Sequence, residues 1–119
     1  DLFKRFPGDS MWESHLDHSE QLEENTFSDF QEAFNDGSLP AYIFDNLDHE
    51  HGREIEKDYN TPPQFRDDAY ALLKDEFPPD YGPMRWFCFG RKHSGTDPHI
   101  DPVSTDAWNT LVTGYKWWI

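Results

Sequence analysis

Apolar residues fall into short, separated groups, which predicts several small elements. The first 25 residues are acidic, with scattered apolar residues and no sustained period, so we expect them to be irregular. Four apolar residues then recur at helical spacing: Phe27, Phe30, Ala33 and Phe34. Thr26 precedes them as an N-cap, with Asp29 three residues on, and Gly37 follows as a stop. The pattern predicts one short amphipathic helix.

The rest of the chain alternates between apolar runs and breaks. Five further elements are predicted, in this order: a strand Leu39 to Phe44, a helix at about Arg66 to Glu76, a buried strand Met84 to Phe89, and strands Thr105 to Val112 and Tyr115 to Ile119. Thr113–Gly114 makes the last two strands a β-hairpin. Helices followed by closely spaced antiparallel strands predict a mixed α+β fold, with helices packed on a sandwich-like or barrel-like β core.

Composition narrows the classes of partner. The 119 residues carry a formal net charge of −14, which argues against direct nucleic-acid binding and is compatible with a Lys- or Arg-rich protein partner. No apolar run is long enough to span a membrane. The single cysteine, Cys88, permits no internal disulfide, indicates a reducing compartment and is predicted to be buried. Because the chain starts at Asp1 and ends on an apolar run, we expect it to be a fragment.

The triplet His99-Ile100-Asp101 carries the most chemistry. In an extended chain, residues i and i+2 point to the same side, so an imidazole and a carboxylate would converge. They would form two thirds of the two-histidine, one-carboxylate triad that holds Fe(II). His15-Leu16-Asp17 has the same spacing but lies in a segment that we interpret as surface. Only the second triplet is flanked by strand-like apolar runs, so only it is a candidate metal site.

Another group of possible metal ligands lies in His49-Glu50-His51. These residues stand in a stretch of mixed charge between two predicted elements. We therefore interpret them as part of a polar connection and not as a metal site.

The predicted hairpin register brings a lysine into an apolar face. With Thr113–Gly114 as the turn, alternation places four side chains together: Asn109, Leu111, Lys116 and Trp118. An unpaired buried ammonium is costly, so Lys116 either meets a bound carboxylate or lies at the rim with its stem over Trp118. A neighbouring Fe(II) pair favours the first reading, with a keto diacid chelating the metal at its other end and Thr96 or Asn109 donating hydrogen bonds.

These residues together resemble the JmjC family of Fe(II)- and 2-oxoglutarate-dependent oxygenases, nearest to its arginine demethylase and lysyl hydroxylase branch. The resemblance covers residues 39–119 and rests on these motifs: Tyr42-Ile43-Phe44-Asp45, Asp58-Tyr59, Trp86-Phe87, Ser94-Gly95-Thr96, His99-Ile100-Asp101-Pro102, Ala107-Trp108-Asn109 and Gly114-Tyr115-Lys116. It implies that residues 39–119 are the first part of a double-stranded β-helix, the cupin-like JmjC core. Residues 1–38 match the family only loosely, and their own pattern predicts an acidic, helical N-terminal segment.

The resemblance also implies roles for individual residues. His99 and Asp101 would bind iron, and four residues would contact 2-oxoglutarate: Thr96, Asn109, Lys116 and Tyr42. The second iron-binding histidine would belong to strands beyond Ile119, so this chain alone is expected to be inactive. Asp97–Pro98 stands where the family usually has a glycine-containing step.

The activity implied is hydroxylation or N-demethylation of Lys or Arg side chains in a basic protein, inside the cell and by resemblance in the nucleus. Two other readings stay open. One is a non-catalytic cupin-like interaction module. The other is a purely structural metal site, which is less favoured because structural zinc usually takes four closed ligands, often cysteine.

Overall fold

A four-stranded antiparallel sheet forms the centre of the computed structural model, which describes residues 2–16, 21–37, 40–67, 72, 85–101 and 105–119. The elements follow in this order: a 3-10 turn Leu2–Lys4, β1 Met11–His15, β2 Glu23–Thr26, α1 Phe27–Asp36, β3 Tyr42–Asp45, α2 Glu50–Glu56, a 3-10 turn Pro63–Phe65 and β4 Phe87–Gly90. The strand order is β2-β1-β3-β4, with every neighbouring pair antiparallel. An α+β fold is therefore confirmed.

The strand register gives the sheet one buried face and one outer face. Ser14 lies opposite Ile43, which in turn lies opposite Phe89. Directly opposed residues share a face, so these side chains point to the same side, where Ser14 and Ile43 are almost completely buried. Tyr42 and the residue opposite it, Gly90, lie on the other face.

The predicted first helix is confirmed, including both of its ends. The Asp29 backbone N–H donates to Thr26 Oγ1 at 3.1 Å, and the Thr26 hydroxyl donates back to the Asp29 carboxylate at 2.6 Å. Gly37 ends the helix in the left-handed conformation, with φ of 82°. Every apolar position of the predicted stripe is buried or half-buried. The helix forms because its capping residues lie at the two ends of the segment whose apolar side chains are buried.

Helix α1 covers the buried face of the sheet with aromatic rings. Phe30 is completely buried, and its ring centroid lies 5.7 Å from that of Phe89 on β4. Phe34 stacks on the same Phe89 ring at 5.3 Å. Trp12 of β1 lies 5.9 Å from Phe27. Large aromatic side chains contribute most of the buried area in a small core, so this layer joins the first strands to the last.

The prediction that residues 1–25 are irregular is wrong. They contain β1 and β2, which pair from Met11 opposite Thr26 to Ser14 opposite Glu23. The sequence shows no alternation of apolar and polar residues here, because only Trp12 and Ser14 of β1 face the core and β2 contains no apolar residue. A strand that is buried on one face needs few apolar residues when an aromatic ring fills most of the space.

The polar connection that contains His49-Glu50-His51 includes a helix that the sequence did not predict. Glu50 begins α2, and His49 is its N-cap, with Nδ1 accepting from the Gly52 backbone N–H at 3.3 Å. Histidine is not among the preferred capping residues, so the sequence carries no ordinary start signal.

The predicted strand Met84 to Phe89 is confirmed in part, as β4. Its buried character is wrong: β4 lies at the edge of the sheet, and Cys88 is exposed instead of buried. The alternation of a strand explains this, because Phe87 and Phe89 face the core and Cys88 points to the outer face. The predicted strand Leu39 to Phe44 is confirmed as β3, displaced by a few residues.

The predicted hairpin is wrong in this structure. Residues 105–119 contain no strand, only a bend at Thr113–Gly114, where Gly114 has φ of 85°. A two-stranded hairpin is marginal in water without a layer against it. Here Trp117 is 86% exposed and Trp118 is 72% exposed, so nothing described covers the face that would stabilise the pairing.

Two further predictions concern parts of the chain that the structure describes incompletely. The second helix, at about Arg66 to Glu76, falls mostly outside the described residues. The division at residue 38 stays a prediction, although one sheet takes strands from both sides of it. Within the described residues, no helix has both the length and the apolar character to cross a membrane.

Candidate metal centre

His99 and Asp101 point to the same place. His99 Nε2 lies 3.3 Å from Asp101 Oδ1, although both residues lie in a loop without regular secondary structure. The i, i+2 spacing brings the two side chains together, as an extended chain requires. The His99 ring and the Asp101 carboxylate are each about half-exposed, so an ion could approach them from solvent.

The other nitrogen of the His99 ring is held by the backbone. Nδ1 lies 2.7 Å from the Asp97 carbonyl oxygen. A carbonyl can only accept, so Nδ1 carries the proton, and in a neutral ring Nε2 presents its lone pair to the Asp101 side. Two acceptors facing each other at this distance are favourable only when a positive charge lies on or between them.

The distance between these two atoms suits a shared divalent ion. Imidazole nitrogen and carboxylate oxygen bind a first-row ion such as zinc at about 2.1 Å, so adjacent octahedral ligands lie about 3 Å apart. His99 Nε2 and Asp101 Oδ1, at 3.3 Å, nearly match that separation. Iron in a facial triad needs a third protein ligand. Among the described residues, no group of three or more His, Cys, Asp or Glu side chains could hold a metal. The residues present therefore fit two protein positions around Fe(II).

Three of the predicted 2-oxoglutarate contacts are surface residues here. Thr96, Asn109 and Lys116 are all exposed. Lys116 places Nζ 4.5 Å from the centroid of the Trp118 ring, a cation–π contact. The alternative for this lysine placed its stem over Trp118 and its ammonium in water, whereas here the ammonium itself lies over the ring. The shared face of Asn109 and Lys116 depended on the hairpin, which this structure does not contain.

Tyr42, the fourth predicted contact, lies beside the loop that leads to His99. A Cβ added to Gly90 would lie 2.4 Å from Tyr42 Cδ2 and 2.2 Å from Ser94 Oγ. The absence of a side chain at position 90 therefore lets the tyrosine ring and the Ser94 hydroxyl approach the same point of β4. Burial raises the pKa of the Tyr42 phenol, and a hydrogen bond with Cys88 raises it further. Tyr42 therefore stays a neutral phenol at physiological pH.

Gly90 and Ser94 are residues that sequence reasoning assigned no role in the site. Ser94 closes the loop by donating from its backbone N–H and its hydroxyl to the Arg91 carbonyl, at 3.2 and 2.8 Å. A glycine at the end of an aromatic strand, opposite a tyrosine, is a signal that could have identified this close approach.

The first H-x-D triplet differs from the second in its surroundings. His15 ends β1 and is partly buried opposite Tyr42, and its Nδ1 atom is buried without a hydrogen-bond partner among the residues that the structure describes. It therefore belongs to the sheet and not to an irregular surface segment. Asp17 lies outside the described residues, so the geometry of this pair is not described.

Comparison with known proteins shows which proteins this chain is similar to. The chain is 39% identical over 87 residues to the bifunctional arginine demethylase and lysyl-hydroxylase psr-1 of Caenorhabditis elegans. It is 42% identical over 79 residues to the lysine-specific demethylase JMJ21 of Arabidopsis thaliana, and 41% identical over 80 residues to the arginine-specific demethylase JMJ22 of the same plant. The predicted resemblance is confirmed. Over about 70% of its length, this chain is homologous to JmjC-type demethylases and hydroxylases.

The homology covers much of this chain but little of its relatives. The matches extend over 71%, 66% and 67% of this chain, and over 21%, 8% and 15% of psr-1, JMJ21 and JMJ22 respectively. No family model matches the chain, and no solved structure matches it. The chain therefore corresponds to a small part of these demethylases and lysyl hydroxylases, and the roles of its single residues stay predictions.

Proposed function

We propose that this chain is part of an Fe(II)- and 2-oxoglutarate-dependent JmjC oxygenase that acts on Lys or Arg side chains of a protein. The observation that carries the proposal is the pair formed by His99 Nε2 and Asp101 Oδ1 at 3.3 Å, in a chain homologous to demethylases and lysyl hydroxylases. In this proposal, the sheet and helices α1 and α2 pack against the remainder of a double-stranded β-helix.

The two side chains would hold the metal on one side and leave its other positions open. Their half-exposure is compatible with a co-substrate and a third protein ligand reaching the same ion. Fe(II) with 2-oxoglutarate and dioxygen would supply the oxidising power to hydroxylate a C–H bond, with 2-oxoglutarate leaving as succinate and CO2. Hydroxylation of a side-chain carbon gives a stable alcohol, whereas hydroxylation of an N-methyl carbon gives a product that releases formaldehyde.

The chain's own contribution to 2-oxoglutarate binding would come from polar groups around this pair. Tyr42, a buried neutral phenol, would donate a hydrogen bond, and Thr96 and Asn109 would add others. Lys116 would leave Trp118 and meet the distal carboxylate, once a covering layer provides the strand pairing that residues 105–119 lack here. A charge-assisted hydrogen bond to a carboxylate is stronger than the exposed cation–π contact that it replaces.

The substrate would be a basic protein segment. A formal net charge of −14 attracts Lys- and Arg-rich partners and disfavours nucleic acid. We propose the nucleus as the site of action because the resembled family acts there. Fluorescence imaging of the tagged natural protein tests this, and exclusion from the nucleus would contradict it.

The test of activity measures turnover of 2-oxoglutarate by the protein together with any sequence that its gene encodes beyond Ile119. With Fe(II), ascorbate and Arg- or Lys-rich peptides, methylated and unmethylated, we expect succinate formation and a mass gain of one oxygen or a loss of methyl groups. His99→Ala should abolish both. Peptide-independent succinate formation that survives this substitution would refute the proposal.

A matched control removes another imidazole from the same loop. His93 is exposed and has φ of 70°, a conformation that asparagine tolerates. His93→Asn should therefore keep the activity. Equal losses in His93→Asn and His99→Ala would indicate damage to the loop instead of loss of a ligand.

A non-catalytic interaction module is the second candidate, and one observation favours it. The described residues offer two metal ligands and no third. In that case, the gene would encode no additional iron-binding histidine, and the protein would bind basic peptides equally well with and without Fe(II) and 2-oxoglutarate.

A further inference from the structure

Arg91 lies at the start of the loop that leads to His99, directly after the last residue of β4. Its backbone is held by hydrogen bonds on both sides. The Arg91 N–H donates to the Ala41 carbonyl oxygen at 3.3 Å, and the Arg91 carbonyl accepts from the backbone N–H and the hydroxyl of Ser94 at 3.2 and 2.8 Å. These bonds define the 91–94 turn, which is attached to the residue that precedes β3.

The Arg91 side chain contacts a different element, the C-terminal end of α1. Its Cζ atom lies 5.9 Å from the centroid of the Phe34 ring, a cation–π contact. A Cβ built on Gly37, the residue that ends α1, would lie 2.5 Å from Arg91 Nη1 and 2.9 Å from Nη2, so the guanidinium occupies the space that a side chain there would need. The C-terminal end of a helix carries partial negative charge, which favours a cation at this position. The glycine therefore ends the helix and also admits the guanidinium.

The 91–94 turn lies against Tyr42. This tyrosine is on the outer face of the sheet, opposite Gly90, yet it is only 8% exposed. The point at which Gly90 would carry a Cβ is 2.4 Å from Tyr42 Cδ2 and 2.2 Å from the Ser94 hydroxyl oxygen. The tyrosine ring and the turn are therefore neighbours, and a displaced turn would uncover the ring.

One attachment point would leave the direction of the loop undetermined. The hydrogen bond to Ala41 fixes one point, but residues 92, 93 and 95–100 are all exposed, so their own packing does not orient the loop. The guanidinium at the end of α1 supplies a second point. The orientation of the loop relative to the sheet therefore depends on the side chain of Arg91.

We propose that Arg91 is a positioning residue, which holds the loop so that the His99–Asp101 pair and Tyr42 face the same 2-oxoglutarate molecule. The inference rests on the proposed function and adds a residue to it. Arg91 itself contacts neither the metal nor the co-substrate. His99 and Asp101 come together because they lie two residues apart, so their spacing does not need Arg91. The placement of this pair relative to Tyr42 does.

The test separates two affinities of the protein, taken with any sequence that its gene encodes beyond Ile119. Calorimetric titration with Mn(II), and then with 2-oxoglutarate at saturating Mn(II), measures both. In Arg91→Ala, the affinity for Mn(II) alone should stay within about 2-fold of the natural value, because the substitution is remote from the metal pair. The cation–π contact and the helix-end contact each favour the anchored loop by about 2-fold to 5-fold, so 2-oxoglutarate should bind about 10-fold more weakly.

Lys92→Ala is the matched control, because it removes a positive charge from the same turn at an exposed side chain. A general attraction of the turn for the 2-oxoglutarate dianion would weaken with either substitution, whereas anchoring depends on Arg91 alone. Arg91→Lys keeps a positive charge at the end of α1 and should lie between the natural protein and Arg91→Ala. A 2-oxoglutarate affinity that is unchanged in Arg91→Ala, or an equal loss in Lys92→Ala, would overturn the inference.

Amide hydrogen exchange provides a measurement that needs neither metal nor co-substrate. If Arg91 anchors the 91–94 turn, the Ser94 amide should exchange about 10-fold faster in Arg91→Ala, while the amides of β1 keep their rates. Unchanged exchange at Ser94, or equally faster exchange throughout the sheet, would contradict a role as an anchor. If the natural protein and His99→Ala bind Mn(II) and 2-oxoglutarate equally, the proposed metal site fails, whereas exchange at Ser94 still decides whether Arg91 holds the turn.

Discussion

Removing the Asp45 carboxylate should destabilise the protein more than removing any exposed carboxylate. Asp45 ends β3, is only 2% exposed and accepts three hydrogen bonds. The donors are the Leu47 backbone N–H at 2.7 Å, the Glu13 backbone N–H at 3.0 Å and His49 Nε2 at 3.0 Å. One side chain thus connects β1, the turn after β3 and the N-cap of α2.

The size of the effect follows from the donors that Asp45→Ala leaves behind. A buried donor without a partner costs about 1–3 kcal/mol. The Leu47 N–H is buried and would incur that cost in full, whereas Glu13 and His49 are half-exposed and would regain part of it from water. Leu47 also holds φ of 62°, an unfavourable conformation for leucine that this hydrogen bond helps to maintain. We expect a loss of about 3 kcal/mol, or about 10 °C in Tm for a chain of this size.

Urea unfolding followed by far-ultraviolet circular dichroism measures this loss. Asp48→Ala is the control, because its carboxylate is exposed and lies 3.9 Å from Arg53 in a surface ion pair, so its removal should change stability by less than about 0.5 kcal/mol. Asp45→Asn keeps one acceptor and should fall between the two. Equal urea midpoints for Asp45→Ala and Asp48→Ala would refute the reasoning.

Three further substitutions test the core, the approach of Tyr42 to the loop, and a perturbed carboxyl group. Phe30→Ala removes a completely buried ring between α1 and the sheet and should lower the free energy of unfolding, measured in urea, by about 4 kcal/mol. A loss under about 1 kcal/mol would contradict the described packing. Gly90→Ala would force Tyr42 and Ser94 apart and should cost about 1–3 kcal/mol while shifting the tyrosine ring resonances, and unchanged resonances would count against the contact. Burial and neighbouring carboxylates raise the pKa of Glu13, so its folded form holds a proton more tightly than its unfolded form. Glu13→Gln should therefore stabilise the protein at neutral pH, and this gain should disappear as the pH falls below the ordinary glutamate pKa of 4.5. A gain in stability that grows on acidification would show that the pKa of Glu13 is lowered in the folded protein and not raised.

The sequence predicted correctly those elements whose capping residues and apolar spacing match the way they pack in the structure. Helix α1 has a reciprocal cap at Thr26 and Asp29, an apolar stripe and a glycine at its end, and each of these features is present in the structure. The i, i+2 spacing of His99 and Asp101 likewise requires only an extended backbone. Local chemistry was sufficient in both cases.

The elements that the sequence did not predict depend on tertiary partners. Strand β2 reads Glu-Glu-Asn-Thr and exists because β1 pairs with it. The hairpin around Thr113–Gly114 has the right alternation but lacks a layer to cover its aromatic face in this structure. The alternation of apolar and polar residues alone cannot distinguish a segment that pairs with a neighbouring strand from one that has no strand to pair with.

The most direct test of the proposed metal centre is Mn(II) binding to the natural chain, to His99→Ala and to the control His93→Asn, followed by nuclear magnetic resonance. We expect Mn(II) to broaden the signals of residues 97–101 first, and 2-oxoglutarate to tighten the binding. His93→Asn should behave like the natural chain, and His99→Ala should lose the effect. Broadening that is centred elsewhere, or unchanged binding in His99→Ala, would contradict a metal site at His99 and Asp101.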